Sequence, residues 1–222
     1  RLAASLCARR LAAAFVTGPV SKEAWKMAGA GHLDHTGFLK SFTGARRAAM
    51  MLLAGPFRAV IATRHIPLKE VPRVLTPGAV QEAAELAREG LRSLGFKRPR
   101  LVLCALNPHG GEGGLLGSEE RDLLRPAAAR LGLVGPVPAD AAWAGQAAGK
   151  SDALVALYHD QALIPLKAAA GYSIVNWTLG VPLTRTSPGH GTAYDIAGRG
   201  RADAEATVQA ALLAARVSRG AR

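Results

Sequence analysis

Leu101-Val102-Leu103-Cys104-Ala105-Leu106-Asn107-Pro108-His109-Gly110-Gly111-Glu112-Gly113-Gly114 joins an unbroken apolar run to a polar, glycine-rich turn. A run with no polar alternation reads as a strand buried on both faces. Three further runs share the form, at Ala14–Thr17, Ala59–Thr63 and Ala153–Leu157. Between and around them apolar residues recur at helical spacing. Such stretches are Leu2–Leu11, a short helix to Met27 capped by Ser21, and a helix from Thr76-Pro77 to about Leu94, closed by Gly95. Two more run from Ser118 to Leu131 and from Ala202 to Val217. Proline at a first helical position and glycine just past the last turn are the usual helix punctuation. Buried strands separated by helices predict an α/β fold with a mostly parallel sheet covered on both faces.

Composition bounds what such a fold can do. The 222 residues are 49% hydrophobic and 20% charged, enough to build a core and unlike a disordered chain. No apolar run approaches the roughly twenty residues of a membrane span. Arg9 and Arg10 follow the first apolar stretch, so it does not read as a signal peptide. The chain opens on Arg1 rather than Met, which reads as a processed chain or a fragment. Its net charge of +12 comes from 28 Lys and Arg against 16 Asp and Glu. These basic residues are scattered, and aromatics make up only 5%, so a nucleic-acid partner is not expected. A basic surface suits a small phosphorylated anion. Cys7 and Cys104 are too few for a disulfide framework, and Cys104 reads as core; a reduced, cytoplasmic protein is expected.

In open parallel sheets, ligands sit at the carboxyl ends of the strands. Here those ends carry Thr17-Gly18-Pro19, Thr63-Arg64-His65, Asn107-Pro108-His109 and Tyr158-His159-Asp160, so three of the six histidines share one edge. His65, His109 and His159 are 44 and 50 residues apart, and no local spacing marks a metal site. Parallel neighbours bring their loops together, however, and neutral imidazoles suit a divalent transition metal with positions left open for substrate. A hydrogen-bonded loop histidine is the plainer reading of each alone. The glycines around His109 allow close backbone approach and expose N–H groups to an anion, but form neither a Walker loop nor G-x-G-x-x-G. Glu112 either orients an imidazole or caps a helix. Lys167 reads as a phosphate-binding or proton-transfer group, or as an exposed helix lysine. Asn176 and Arg185 flank Thr178-Leu179-Gly180-Val181-Pro182, and Arg185-Thr186-Ser187 offers a fork donor with hydroxyls. His190-Gly191-Thr192-Ala193-Tyr194-Asp195 either wraps a nucleotide or forms a packing turn.

The strings TGPVSK (17–22), HTGFL (35–39), RHIPL (64–68), NPHGGEGG (107–114), GPVPAD (135–140), ALYHDQ (156–161), VNWTLGVPLTRTSP (175–188) and HGTAYDIAGRG (190–200) occur in order. Together they resemble the 4-hydroxythreonine-4-phosphate dehydrogenase family of pyridoxal phosphate biosynthesis, from Thr17 to the C-terminal helix. The resemblance implies an isocitrate/isopropylmalate dehydrogenase-like α/β/α fold, with two lobes around a cleft and a homodimer sharing its active sites. It implies a divalent metal (zinc, magnesium, cobalt or manganese) on His65, His109 and His159. Substrate contacts fall on His35, Thr36, Lys167, Asn176 and Arg185, with Lys167 as the catalytic proton-transfer group. NAD or NADP falls on His190, Gly191, Thr192 and Asp195. The implied reaction is oxidation of a phosphorylated hydroxy acid followed by loss of carbon dioxide.

Some features depart from that family. Asp34-His35-Thr36-Gly37 stands where Gly-His-Thr-Glu is usual, and Gly189 stands where an Asp is usual. The opening strand and Gly-Asp-Pro-Ala-Gly-type loop of the relatives have no counterpart, so residues 1–222 read as one truncated module, without its N-terminal part and with its internal lobe boundary unplaced. Alternatives are a paralogue acting on 4-phospho-D-threonate or -erythronate, and a non-catalytic chain that keeps metal or phosphate binding.

Overall fold

A computed structural model describes residues 1–32 and 34–220. In chain order the helices and strands are α1 (Leu2–Ala8), β1 (Phe15–Val16), α2 (Lys22–Met27), α3 (His35–Thr43), β2 (Ala49–Ala54) and β3 (Phe57–Ile61). There follow α4 (Val71–Val74), α5 (Pro77–Ser93), β4 (Leu101–Cys104), α6 (Arg125–Leu131), β5 (Val134–Val137) and α7 (Ala139–Ala147). The remainder are β6 (Ala153–Ala156), α8 (His159–Ala170), β7 (Val175–Leu179), β8 (Arg185–Pro188) and α9 (Glu205–Gly220). The chain divides into two compact units, one of residues 1–52 and 170–222, the other of residues 53–169. Among the described residues no helix is long and apolar enough to cross a membrane.

In the first unit the strand order is β1-β8-β7-β2, with β1 and β8 parallel and β7 and β8 antiparallel. Strand β8 is polar in sequence yet wholly buried. Helix α9 lies on it, and the Thr186 hydroxyl donates to the Ala210 carbonyl at 2.8 Å. Ala4, Cys7, Leu39 and Leu183 form a small core with Phe15 and Phe38 against it. The expected helix over Leu2–Leu11 ends at Ala8, because Arg10 takes a left-handed backbone, φ 58°. Ser21 caps α2 as expected, accepting from the Ala24 N–H at 3.1 Å.

In the second unit the order is β3-β6-β4-β5, and every pairing is parallel. The mostly parallel sheet expected from the apolar runs is therefore present. Helix α5 starts as its sequence dictates: the Thr76 hydroxyl accepts from Ala79 N–H, and Pro77 occupies the first turn. Val80, Ala83, Ala84, Ala87 and Leu91 form its buried stripe against β3 and β6. Each large apolar side chain so buried, such as Leu91, contributes about 2–3 kcal/mol. Cys104 is fully buried, which pushes its thiol up to about 12 and makes it an inert core residue. The helix expected from Ser118 begins as a wider turn over Glu120–Leu124 before α6. Pro126 lacks the N–H needed for a regular i→i−4 ladder, and the widened turn absorbs the gap.

Candidate functional site

Strands β3, β6 and β4 are consecutive neighbours, and each ends just before one of the three histidines. His65 follows β3, His159 opens α8 after β6, and His109 follows β4. The structure brings the first two together, with ring centroids 5.6 Å apart and planes tilted by 44°. Two imidazoles bound tetrahedrally to one ion, with metal–nitrogen distances of about 2.0–2.1 Å, hold their centroids roughly 5 Å apart. The His65–His159 spacing therefore fits a shared cation. His159 Nδ1 is 2.6 Å from Asp160 Oδ1, which leaves its Nε2 to a ligand. Both rings, with Thr63, Tyr158 and Asp160, line a cavity of about 240 Å³. Among the described residues no three His, Cys, Asp or Glu side chains converge closely enough to hold a metal, and His109 stays exposed on the next strand exit.

The backbone at these exits is strained. His65 (φ 49°) and His109 (φ 52°) both take left-handed conformations, costing about 1–2 kcal/mol each in a non-glycine residue. From His109 to Gly113 every φ is positive, so the loop winds one left-handed turn. Three of those five residues are glycines, which carry no such cost. The turn winds around Glu120, which is 2% exposed. One carboxylate oxygen of Glu120 accepts from the Leu106 and Asn107 N–H groups at 2.8 and 2.7 Å; the other accepts from Asn107 Nδ2 at 2.8 Å. Burial opposes ionisation of Glu120, but the bonds from Asn107 and Leu106 prevail and hold its pKa below the ordinary value.

Two side chains without an assigned role in the sequence reading tie the exits together. The Thr63 hydroxyl donates to the Leu157 carbonyl at 2.6 Å. Gln161 accepts from the Leu157 N–H and donates to the Ala105 carbonyl, both at 2.7 Å. The signal for Gln161 was its place in ALYHDQ; nothing local distinguished Thr63. Pro165 inside α8 has no N–H for the Gln161 carbonyl, which instead accepts from the Trp143 indole at 3.0 Å. Lys167 is exposed near the end of α8, eight residues and about 12 Å of helix rise beyond His159.

In the other unit Arg185 is 3% exposed. Its Nε and Nη2 donate to Thr17 Oγ1 at 3.0 and 2.5 Å, and its Nη1 to Thr178 Oγ1 at 3.3 Å. Among the described residues these hydroxyls are its hydrogen-bond partners. Burial lowers the guanidinium pKa to about 10, partly offset by the negative charge of Asp34. Asp34 caps α3 through the Gly37 N–H at 2.7 Å, which places His35 and buried Thr36 in the first turn. Burial, then the charge of Arg185, push His35 down to about 4, so it is neutral near pH 7. Its ring meets Trp25 edge-on at 4.7 Å. Thr17 and His35 line a cavity of about 650 Å³ walled by Phe15, Trp25, Phe38 and Leu39. Asn176 sits in β7 with its Oδ1 buried and without a partner. A buried guanidinium hydrogen-bonded to hydroxyls and only partly balanced by Asp34, near a neutral imidazole, is equipped to receive an anion.

In the last loop the His190 ring nitrogen Nδ1 lies 2.9 Å from the Gly191 carbonyl oxygen, and Asp195 is exposed. Thr192 and Tyr194 face Val20, Ser21 and Trp25 across a groove of about 610 Å³, whose aromatic walls fit a planar heterocycle. Gly189 has a local reason to lack a side chain: a Cβ there would lie 2.9 Å from Ile174 Cγ2 and 3.0 Å from the Ile174 carbonyl.

Comparison with known proteins assigns the chain to a family. The family model described as "Pyridoxal phosphate biosynthetic protein PdxA" matches residues 1–214. A 4-hydroxythreonine-4-phosphate dehydrogenase of Desulfosudis oleivorans is 48% identical over 197 residues, covering 86% of this chain and 58% of the relative. A putative D-threonate 4-phosphate dehydrogenase of Bradyrhizobium diazoefficiens is 40% identical over 226 residues, covering 94% of this chain and 65% of the relative. The crystal structure of 4-hydroxythreonine-4-phosphate dehydrogenase from Klebsiella pneumoniae superposes with a TM-score of 0.87 at 36% identity. That match covers 98% of this chain and 67% of the crystallised one. The chain thus spans between 58% and 66% of the length of the first curated relatives it matches. The isocitrate/isopropylmalate dehydrogenase-like α/β class expected from the motifs holds. The chain belongs to the PdxA family of pyridoxal phosphate biosynthetic proteins.

Proposed function

We propose that this chain serves an NAD(P)- and divalent-metal-dependent dehydrogenase. Its reaction is oxidation of 4-phosphohydroxy-L-threonine to a 3-oxo acid, which loses carbon dioxide to give 3-amino-2-oxopropyl phosphate. The observation that carries this reading is Arg185: a buried guanidinium whose hydrogen-bond partners are two threonine hydroxyls, in a member of the PdxA family. A phosphate supplies the acceptors and the negative charge that this group lacks. His35, neutral at pH 7, donates one N–H to the substrate, and Thr36 and Asn176 bind beside it. Lys167 moves the proton of the substrate hydroxyl. His65, His109 and His159 hold the metal, and His190, Gly191, Thr192 and Asp195 hold the nucleotide. When bound, the metal polarises the substrate oxygen and the nicotinamide accepts the hydride. The protein acts as a cytoplasmic homodimer with shared active sites.

A second reading is oxidation of 4-phospho-D-threonate. It is favoured by the relative named for that substrate. The two separate in one assay: NADH or NADPH absorbance with each substrate on the metal-loaded protein, with and without chelator. Turnover of 4-phosphohydroxy-L-threonine that stops with chelator is expected. Preference for 4-phospho-D-threonate moves the assignment to the second reading, and turnover of neither overturns both.

A further inference from the structure

We propose that Gln161 is a positioning residue: its carboxamide sets the opening between the strand exits that carry His159 and His109. The parallel ladder between β4 and β6 pairs Leu101 with Ala153, Val102 with Leu154 and Leu103 with Val155, and stops there. Continued past Cys104 and Ala156, the same register would bring Ala105 opposite Leu157. The Gln161 carboxamide occupies that position, accepting from the Leu157 N–H and donating to the Ala105 carbonyl. The two strand exits are thereby bridged through one amide rather than bonded directly at this position. On the other side of β6 the strands stay closed: Ala62 N–H donates to the Ala156 carbonyl at 2.8 Å, and Thr63 N–H to the Leu157 carbonyl at 3.2 Å. His65 and His159 therefore stand side by side, while His109 leaves across the opened gap.

The chemistry at this position is restrictive. Leu157 offers a donor and Ala105 an acceptor, so the bridging group must accept on one side and donate on the other. Glutamate satisfies only the first, and an apolar side chain neither. At 6% exposure, water is poorly placed to substitute. The Trp143 indole on the Gln161 carbonyl fixes the backbone from which the amide reaches out.

This inference rests on the metal reading of the histidine exits, and one experiment separates the two. Cobalt(II) affinity, by competition with a chromophoric chelator, and the visible cobalt spectrum are measured on the unaltered chain, Gln161→Met, Gln161→Glu and Gln146→Met. Gln146 is the control: it is as buried, and its amide bonds both N–H and carbonyl of Arg58, at the opposite end of β3 from His65. A lost packing amide destabilises both sites alike, so melting temperature alone does not discriminate. Gln161→Met is expected to weaken cobalt binding about 10–100-fold and to shift the spectrum, with Gln146→Met unchanged in both. Gln161→Glu keeps the Leu157 bond and gives the same reading should the methionine variant not fold. Affinity and spectrum unchanged in the Gln161 variants, or equally changed in Gln146→Met, overturn the positioning role while leaving the metal reading intact. No cobalt uptake by the unaltered chain overturns both.

Discussion

Arg185→Met is expected to leave the ligand-free chain about as stable as before while abolishing its response to phosphate. Burial lowers the guanidinium from its ordinary 12.5 to about 10. At about 1.4 kcal/mol per pH unit, that disfavours the buried charge by roughly 3 kcal/mol. Replacing it forfeits three bonds to the Thr17 and Thr178 hydroxyls, worth about 1 kcal/mol each. The two effects nearly cancel, so Tm should stay within the roughly 2–4 °C that about 1 kcal/mol produces in a chain of this size. The anion loses charge-assisted bonds worth about 1.5–3 kcal/mol, a fall in affinity of about 10–150-fold. The assay is thermal melting by circular dichroism over a phosphate series. The unaltered chain's Tm climbs with the logarithm of phosphate concentration once the site fills. The variant should start near the same Tm and stay level. A variant whose Tm follows phosphate as the unaltered chain's does would refute the view of Arg185 as a buried cation only partly balanced within the chain.

His35 makes stability depend on pH. The unfolded imidazole takes its proton near 6.5 and the folded one near 4, so the unfolded state binds more protons in between. The contribution is complete above pH 6.5 and is lost as pH falls toward 4. After discounting for solvent access it amounts to about 1–2 kcal/mol. Urea titrations across that window should show the slope, and His35→Phe should flatten it. Gly111→Ala should cost more than about 2 kcal/mol by denaturant titration, because its φ is +82° and its Cβ would lie 2.8 Å from Glu120 Oε2 and 3.1 Å from the Gly117 carbonyl. Restoring the family's usual acid with Gly189→Asp should destabilise by about 1–3 kcal/mol. Adding Ile174→Ala should recover part of that loss, and purely additive effects would remove the steric explanation.

How much was legible in the sequence follows from where each signal resides. The strand text around Leu101–Leu106 and Ala153–Leu157 carries its own burial, and the cap at Thr76 is a local rule, so these elements stand close to where they were read. Strand β8 was not recognised because Arg185, Thr186 and Ser187 are polar; only the cover supplied by α9 makes that stretch a buried strand. Helix α8 was obscured by Pro165, whose missing hydrogen bond is repaired by Trp143, 18 positions earlier than the carbonyl it caps. At the site, the three histidine exits were legible because each buried run stops shortly before its histidine, whereas the adjacency of β3, β6 and β4 is a property of the sheet that no local signal carries. The convergence of a third ligand was not: His109 stands outside any group of three among the described residues. Glu120 and Gln161 were given no positioning role because each reaches a partner far along the chain, Asn107 13 positions and Ala105 56 positions away. Asp34, read as a charge out of place beside an anion site, instead caps α3 and partly balances Arg185.

Anomalous diffraction at the zinc or cobalt edge, from crystals of the metal-loaded protein, tests the histidine-edge site most directly. One peak per chain is expected, about 2.0–2.1 Å from a ring nitrogen of each of His65 and His159. With stoichiometric metal present, a peak away from those two rings, or none, would contradict a cation site at the exits of β3 and β6.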